Sequence, residues 1–173
     1  MPPPVKAVSH PQRLIVGVGE MWVSDNPSIT LSTYALGSCV AVVAYDSFAK
    51  VGGMLHMMLP DSKISPSKAV SQPAMFVDTG LPLLFDALAN LKTEPRRLRI
   101  FVAGGASVRC SDDSFRIGER NVRVTADFLS QHGYVARQTA VGGTINRTVH
   151  LNIATGEVTL KTPVTNDSFL LAA

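Results

Sequence analysis

The chain has 173 residues, of which 46% are hydrophobic and 17% charged, and its formal net charge is +3. This length and apolar content suffice for one domain with a sizeable core, and they exclude a disordered, highly charged chain. The basic residues are scattered apart from the segment "EPRRLR" at 94–99, so no basic stripe predicts a nucleic-acid interface.

The N-terminal segment lacks the pattern of a secretory signal, because prolines occupy positions 2–4, where a continuous apolar stretch is needed. The longest apolar run, residues 39–45, is far shorter than the roughly 20 residues of a membrane-spanning helix. We therefore expect a cytoplasmic protein without membrane insertion, with a flexible arm over residues 1–12. In that compartment Cys39 and Cys110 are expected to be reduced rather than joined by a disulfide.

Short apolar segments near the start of the chain predict β-strands. The segment "LIVGVGEMWVS" (14–24) is typical of a strand broken by Gly17 and Gly19, and "DNPS" (25–28) is typical of a turn. The next segment, "ITLSTYA" (29–35), alternates as a strand does.

The stretch from 39 to 59 predicts a β-hairpin. Residues 39–45 are rich in β-branched side chains, and "KVGGMLHMML" (50–59) is a second apolar run, which Pro60 ends. The four residues "DSFA" (46–49) form the predicted loop between the two strands.

Residues 61–73 are rich in Ser, Lys and Pro and predict an exposed loop. Apolar residues then recur at helical spacing and predict a helix. They are Leu81, Leu84, Phe85, Leu88 and Leu91. Thr79 is the predicted N-cap, which places Pro82 at the third helical position, where its missing N–H is tolerated.

The second half of the chain predicts a strand and another helix. The segment "LRIFVAGGAS" (98–107) indicates a strand that runs into a glycine turn. Val122, Ala126 and Leu129 mark the helix, and Gly133 stops it.

The last predicted elements are a strand over "YVARQTAVGG" (134–143) and a hairpin over "TVHLNIATGEVTLKT" (148–162). The whole chain predicts an α/β domain with two substantial helices and seven to nine strands. Because several strands pair locally as hairpins, the sheets should be mixed rather than all parallel.

Cys39 and His56 are the candidate nucleophile and base. A loop over residues 46–49 pairs Tyr45 with Lys50 and places Cys39 directly opposite His56, with Cβ atoms about 4.5–5.5 Å apart. A loop one residue longer would shift the pairing by one, so that Cys39 and His56 would be diagonal rather than directly opposite neighbours. A cysteine attacks as its thiolate, which a nearby imidazolium stabilises near neutral pH.

The residues around Cys39 fit the same chemistry. Gly37 and Ser38 allow a sharp turn that aims backbone N–H groups, including that of Cys39, at a developing oxyanion. Thr33 can offer a hydroxyl that orients the second ring nitrogen of His56, a role usually filled by Asp or Asn.

Other interpretations of these residues stay open on pattern alone. Cys39 and His56 can both be ordinary core residues, and a zinc site is less favoured because no CxxC or paired-histidine spacing is present. For "AGGAS" (103–107), a tight structural turn is favoured over a phosphate-binding loop, since neither GxGxxG nor GxxxxGK[ST] occurs. The Asp112–Asp113 pair and "IGERN" (117–121) are not specific by themselves.

These segments, in this order, resemble the CheD family, the chemoreceptor glutamine deamidases. The resemblance covers about residues 13–160 and is carried by the combination of GSC, a histidine seventeen residues on, and AGGAS. The matching segments are "GVGE" (17–20), "LGSCVAVVAYD" (36–46), "VGGMLHMMLP" (51–60), "VDTGLPLL" (77–84), "AGGAS" (103–107), "IGERN" (117–121), "VGGTINRTV" (141–149) and "NIATGEV" (152–158).

The resemblance implies a three-layer α/β sandwich over residues 13–162, with its catalytic Cys and His on an antiparallel hairpin and a tail over 163–173. It implies a protein-glutamine glutaminase that hydrolyses receptor Gln side chains to Glu. By position the nucleophile is Cys39, the histidine His56 and the threonine Thr33. Backbone groups at Ser38 and Gly37 form the oxyanion site, and no metal or organic cofactor takes part.

The partners implied by the resemblance are the cytoplasmic helices of methyl-accepting chemoreceptors and, in some relatives, a CheC-type phosphatase. One departure is Tyr34, where relatives often have a smaller residue, which affects access to Cys39. An adaptor without chemistry and a thiol protease are the rival functions. The adaptor predicts that Cys39→Ala leaves binding intact, and the protease predicts cleavage of the receptor backbone.

Overall fold

The fold consists of two five-stranded β-sheets and helices that cover one of them. The computed structural model describes residues 11–107 and 115–171. The strands are β1 (Gln12–Ile15), β2 (Met21–Ser24), β3 (Ile29–Leu36), β4 (Val40–Asp46), β5 (Val51–Met57), β6 (Arg99–Gly104), β7 (Ala136–Val141), β8 (Arg147–Asn152), β9 (Glu157–Lys161) and β10 (Asn166–Leu170). The helices are α1 (Pro66–Ser71), α2 (Val77–Asn90) and α3 (Ile117–Gln131), with short 3₁₀ turns at Ser62–Ile64 and Pro73–Met75.

Both sheets are mixed, as the local hairpins predict. The first sheet has the strand order β1-β3-β8-β9-β10, in which only the β1–β3 pair is parallel. The second sheet has the order β2-β5-β4-β6-β7, in which only the β6–β7 pair is parallel. None of the described helices is long and apolar enough to cross a membrane.

Two apolar cores separate the layers, and β4 contributes to both. The side chains of Val40, Val42 and Ala44 pack with helix residues on one face of the second sheet. Those of the alternating residues, including Val43 and Tyr45, pack against the first sheet. A strand buried on both faces has a nearly continuous apolar sequence, which explains the run at 39–45.

The hairpin register differs from the predicted one. Asp46 belongs to β4 and pairs with Val51, so the loop comprises residues 47–50, and Ala41 rather than Cys39 lies opposite His56. Cys39 precedes β4 by one residue. The prediction of a Cys39–His56 cross-strand pair on the hairpin is therefore wrong by two positions. An even shift keeps the side-chain face, which places Cys39 and His56 on one face of the sheet as diagonal neighbours.

The loop is displaced because the Asp46 side chain organises the turn after it. The Asp46 carboxylate accepts hydrogen bonds from the N–H groups of Phe48 (3.0 Å) and Ala49 (3.1 Å). It also accepts from Arg97 Nε at 2.9 Å and from the Glu94 N–H at 3.3 Å. Burial raises the pKa of this carboxyl, but these hydrogen bonds outweigh burial and hold the pKa below its usual range.

The first long helix begins earlier than predicted. Helix α2 starts at Val77, and the Thr79 hydroxyl donates to the Pro73 carbonyl at 2.6 Å instead of capping the helix. Pro82 therefore lies inside the helix rather than at its third position. Within residues 61–73, predicted as a loop, the chain forms a 3₁₀ turn and α1, and a second 3₁₀ turn begins at Pro73. The end of α3 is confirmed, since Gly133 follows it with a φ of 74°.

The C-terminal boundary extends beyond the predicted domain end at 162. Residues predicted as a tail form β10, which pairs with β9, and Leu171 packs into the core between the sheets. The alternation in Asn166–Leu170 is too short and too polar to be identified without its partner strand. Residues 1–10, Cys110 and the Asp112–Asp113 pair lie outside the described residues.

Replacing Asp46 with Asn tests the turn. We expect D46N to lower the free energy of unfolding by about 2 kcal/mol at neutral pH, because hydrogen bonds to a charged group contribute about 1.5–3 kcal/mol. The folded state lowers the pKa of Asp46. Its stabilisation is therefore present above the unfolded pKa of about 3.9 and is lost as the pH falls through the folded pKa.

Urea denaturation of wild type and D46N at several pH values measures this difference. The difference in unfolding free energy should be constant near neutral pH and should shrink as the pH falls below about 4. The same substitution at the exposed Asp167 is the control and should change stability by less than about 0.5 kcal/mol. A difference that persists unchanged in acid contradicts the role assigned to Asp46.

Candidate active site

A bulge in β3 positions Thr33 and turns the chain toward Cys39. Thr33 pairs with Val149 but Leu36 pairs with Arg147, so β3 has one residue more than β8 over this interval. Ala35 accommodates the extra residue with a φ of 53°. The left-handed region costs a non-glycine residue about 1–2 kcal/mol. The strand is therefore strained next to residues 37–39, which we call the cysteine loop.

Thr33 connects the His56 ring to the backbone. Thr33 Oγ1 lies 2.8 Å from the Val16 carbonyl oxygen and 2.8 Å from His56 Nδ1. A hydroxyl has one hydrogen, which goes to the Val16 carbonyl because that oxygen can only accept. Nδ1 therefore carries the ring proton and donates it to Thr33, which leaves Nε2 with a free lone pair. Both side chains are buried.

The backbone of His56 is held by the segment at 17–20. The Gly19 N–H donates to the His56 carbonyl at 2.8 Å, and the His56 N–H donates to the Glu20 carbonyl at 3.0 Å. The Glu20 carboxylate in turn accepts from the Gly17 N–H at 2.9 Å, which closes the segment on itself. The position of the histidine is thus fixed by backbone and side chain together.

Three successive carbonyls of the cysteine loop accept hydrogen bonds from the glycine turn and from α3. The Gly37 carbonyl accepts from the Ala106 N–H at 2.8 Å, and the Cys39 carbonyl accepts from the Gly105 N–H at 2.8 Å. The Ser38 carbonyl accepts from a side chain on α3 at 3.0 Å. The backbone of residues 37–39 is therefore held in one orientation.

The glycine turn at 104–107 is the structural turn that its sequence favours. The N–H groups of Gly105 and Ala106 serve the cysteine loop, and that of Ser107 donates to the Gly143 carbonyl at 2.8 Å. None of these three amides is left for a phosphate. Gly104 has a φ of 109°, and a Cβ there would overlap the Cys39 carbonyl oxygen, so only glycine fits.

The side chain that binds the Ser38 carbonyl is Asn121, which sequence reasoning missed. It is buried in α3, and its Nδ2 donates to Ser38 and to the Met58 carbonyl. The only available signal was the segment "IGERN", which carries no specific chemistry by itself. Its position beside the cysteine depends on how α3 packs, which no local pattern encodes.

The electrostatics of the site favour a neutral thiol and a neutral imidazole. Burial raises the pKa of the Cys39 thiol, and its own backbone N–H offsets this only in part. Burial lowers the pKa of His56, and the contact with Val16 and the charge of Glu20 oppose this more weakly. The resting thiolate–imidazolium pair predicted from sequence is therefore not favoured, since each shift disfavours a charged form.

His56 Nε2 is buried and has no hydrogen-bond partner in residues 11–107 and 115–171. The Cys39 thiol is partly buried against the core between the sheets and is not hydrogen-bonded to this nitrogen. Diagonal neighbours on a sheet are about 7–8 Å apart at the backbone, within reach of long or aromatic side chains. His56, the candidate base, therefore lies near Cys39, the candidate nucleophile, but the two side chains are not hydrogen-bonded to each other.

Tyr34 lies on the other face of β3 from Thr33. Its ring contacts His150 edge to face, with ring centroids 5.6 Å apart, and its hydroxyl accepts from Arg13 Nη1 at 3.3 Å. These contacts hold the Tyr34 side chain on the outer surface of the first sheet. In the described part of the chain, no three His, Cys, Asp or Glu side chains are grouped closely enough to hold a metal ion.

The family model CheD, described as CheD chemotactic sensory transduction, matches residues 58–162 of this chain. The Syntrophus aciditrophicus protein named "Probable chemoreceptor glutamine deamidase CheD 1" is 43% identical over 148 residues, which cover 86% of this chain and 92% of that protein. The Solibacter usitatus protein named "Probable chemoreceptor glutamine deamidase CheD" is 43% identical over 150 residues, covering 87% and 89%.

An aligned stretch of 148 residues in a chain of 173 must include residues 26–148, and with them Thr33, Cys39 and His56. Among solved structures, the hypothetical protein YfiH of Bacillus licheniformis superimposes with a TM-score of 0.40 at 15% identity. That superposition covers 79% of this chain and 60% of YfiH.

The reactivity of Cys39 toward iodoacetamide tests the neutral resting pair. Because burial raises the thiol pKa, we expect alkylation to rise with pH and to reach half its maximum above the free-thiol value of about 8.5. Peptide mapping by mass spectrometry separates Cys39 from Cys110. The same residue in urea-unfolded protein is the control. A fast plateau extending below neutral pH indicates an ion pair and contradicts the expectation.

Proposed function

The chain belongs to the CheD family, and from this membership we propose that it is a chemoreceptor glutamine deamidase that hydrolyses receptor glutamine side chains to glutamates. The observation that carries the proposal is the Thr33–His56 hydrogen bond, which leaves His56 Nε2 as an unpartnered base on the same face as Cys39. Relatives that align through these positions are named as enzymes of this activity.

In the proposed first step, the Cys39 sulfur attacks the carboxamide carbon of the substrate glutamine. The thiol proton passes to His56 Nε2 as the S–C bond forms, so no free thiolate is required beforehand. The carboxamide oxygen gains negative charge in the tetrahedral intermediate. Backbone N–H groups of the Gly37–Ser38–Cys39 loop are the proposed donors to this oxyanion.

The intermediate collapses when the C–N bond breaks. His56 returns its proton to the departing nitrogen, which leaves as ammonia, and a thioester on Cys39 remains. His56 then removes a proton from a water molecule, which attacks the thioester carbon. As the C–S bond breaks, His56 passes that proton to the departing sulfur, which restores the thiol and leaves glutamate on the receptor. Thr33 keeps Nδ1 protonated throughout, so that Nε2 is always the nitrogen that exchanges protons.

The proposed substrate lies on the cytoplasmic helices of a methyl-accepting chemoreceptor. Each turnover creates one carboxylate there, which adds negative charge and provides a site for receptor methylation. We extend the proposal to action in the cytoplasm, where those helices are located, and to tuning of chemotaxis through this charge. A CheC-type phosphatase partner stays a prediction.

Peptide mass spectrometry of chemoreceptor cytoplasmic fragments tests the activity. Wild type should convert specific glutamines to glutamates, while Cys39→Ala and His56→Ala should lose at least about 10³-fold in rate. Thr33→Val should lose less, because the base remains but its tautomer is no longer fixed.

The matched controls for these variants are His132→Ala, at an exposed histidine, and Thr30→Val, on the opposite face of the same strand. Both controls should retain wild-type activity. Wild-type protein that converts no glutamine, or a Cys39→Ala variant that stays active, contradicts the proposed function.

The pH dependence of kcat/KM tests His56 as the base. The base must be neutral in the free enzyme, and burial lowers its pKa. The rate should therefore persist as the pH falls through the ordinary histidine value of about 6.5 and decline only below it. Deamidation rates at limiting substrate between about pH 5 and 8 measure this limb. An acid limb centred above about 6.5 is inconsistent with the buried neutral imidazole.

A further inference from the structure

Asn121 connects the two sides of the candidate site through one nitrogen atom. Its Nδ2 donates to the Ser38 carbonyl at 3.0 Å and to the Met58 carbonyl at 2.9 Å. Ser38 immediately precedes the candidate nucleophile, and Met58 follows His56 by two residues. Both acceptors are carbonyl oxygens, which can only accept, so the amide nitrogen rather than the oxygen must face them.

The packing of α3 brings Asn121 to this place. Gly118, one turn earlier, lies against the glycine turn, and a Cβ on it would be only 2.8 Å from the Gly105 carbonyl oxygen. A Cβ on Gly105 would overlap the Val122 side chain. The two glycines therefore allow the helix to approach the turn closely enough for the short Asn121 side chain to reach the cysteine loop.

Peptide geometry gives this contact a specific consequence. The Ser38 carbonyl and the Cys39 N–H belong to one peptide unit, which is planar and trans, so they point in opposite directions. Holding the carbonyl toward α3 therefore aims the Cys39 N–H away from the helix. In the preceding peptide, the Gly37 carbonyl is held toward the Ala106 N–H, so the Ser38 N–H points away from the glycine turn.

The hydrogen bonding of Asn121 is one-sided. Both hydrogens of its amide are used, whereas Oδ1 is buried without a partner among the described residues. A buried acceptor without a partner costs free energy, so the side chain is a poor choice for stability alone. The asymmetry fits a residue selected for its two donors.

We propose that Asn121 is a positioning residue, which orients the Ser38–Cys39 peptide so that the Cys39 N–H faces the oxyanion formed during amide hydrolysis. This inference rests on the proposed function, because it concerns the same nucleophile. It assigns no contact between Asn121 and substrate. The side chain acts through the peptide that it holds.

Two kinds of reaction at Cys39 separate this role from general damage to the site. Deamidation passes through an oxyanion, whereas alkylation by iodoacetamide displaces iodide and forms none. In N121D, which has nearly the same shape but no N–H donors, we expect kcat to fall about 10²-fold, the size of effect seen when an oxyanion donor is lost. KM and the alkylation rate should change less than about threefold.

The control is Thr125→Val, one turn further along α3. The Thr125 hydroxyl is buried and has no hydrogen-bond partner in the described part of the chain, so its removal should leave kcat within about twofold. N121A is measured beside N121D, because the carboxylate repels the two carbonyls and N121A does not. Thermal unfolding establishes which variants fold.

A large fall in kcat with unchanged alkylation supports the inference. A folded variant with kcat within about threefold of wild type overturns it. So does an equal fall in deamidation and alkylation, or failure of both variants to fold, since either result makes Asn121 a structural residue. If wild type deamidates no receptor fragment, the proposed function fails separately. Acylation of Cys39 by p-nitrophenyl acetate, which also forms an oxyanion, then replaces deamidation in the same comparison.

Discussion

Burial of β4 on both faces is the constraint on which the candidate site depends. One face of this strand packs on the helices and the other on the first sheet. Its neighbours within the second sheet are β5, which carries His56, and β6, which ends in the glycine turn. A one-residue slip would move every side chain of a doubly buried strand into the wrong core, so its register is strongly specified. The relative positions of the histidine and the turn follow from that register.

The cysteine lies just where this regular structure ends. Inside β4 its side chain would be enclosed, whereas one residue before the strand it is only partly buried. The bulge at Ala35 precedes the cysteine in the chain, and β4, the central strand of the second sheet, follows it. The loop carbonyls are bound by the glycine turn and by Asn121, so the end of the regular structure remains rigid. Exposure of the thiol and order of its backbone are thus achieved together.

Most of the strands and both long helices could be predicted from periodicity, because their burial patterns are local, whereas β10 was predicted as part of a tail. The hairpin register could not, since it depends on the Asp46 side chain and its bonds to Arg97, distant in sequence. The pairing of Cys39 with His56 was consequently predicted two positions out, although on the correct face. Thr33 was proposed from the sequence as the residue that orients His56, and it lies at hydrogen-bond distance from that ring. Asn121 was not identified, because its significance arises only from the approach of α3 to the glycine turn.

The same burial that organises the site also opposes charge within it. Removing a thiol and an imidazole from water disfavours the thiolate and the imidazolium alike, which explains why their pKa values shift in opposite directions. In such a site a preformed thiolate–imidazolium pair is disfavoured before the reaction begins. In the proposed reaction, transfer of the proton as the S–C bond forms moves the negative charge directly onto the substrate oxygen. On that proposal, the orientation of the backbone donors around Cys39 matters more for the rate than the resting ionisation of the thiol.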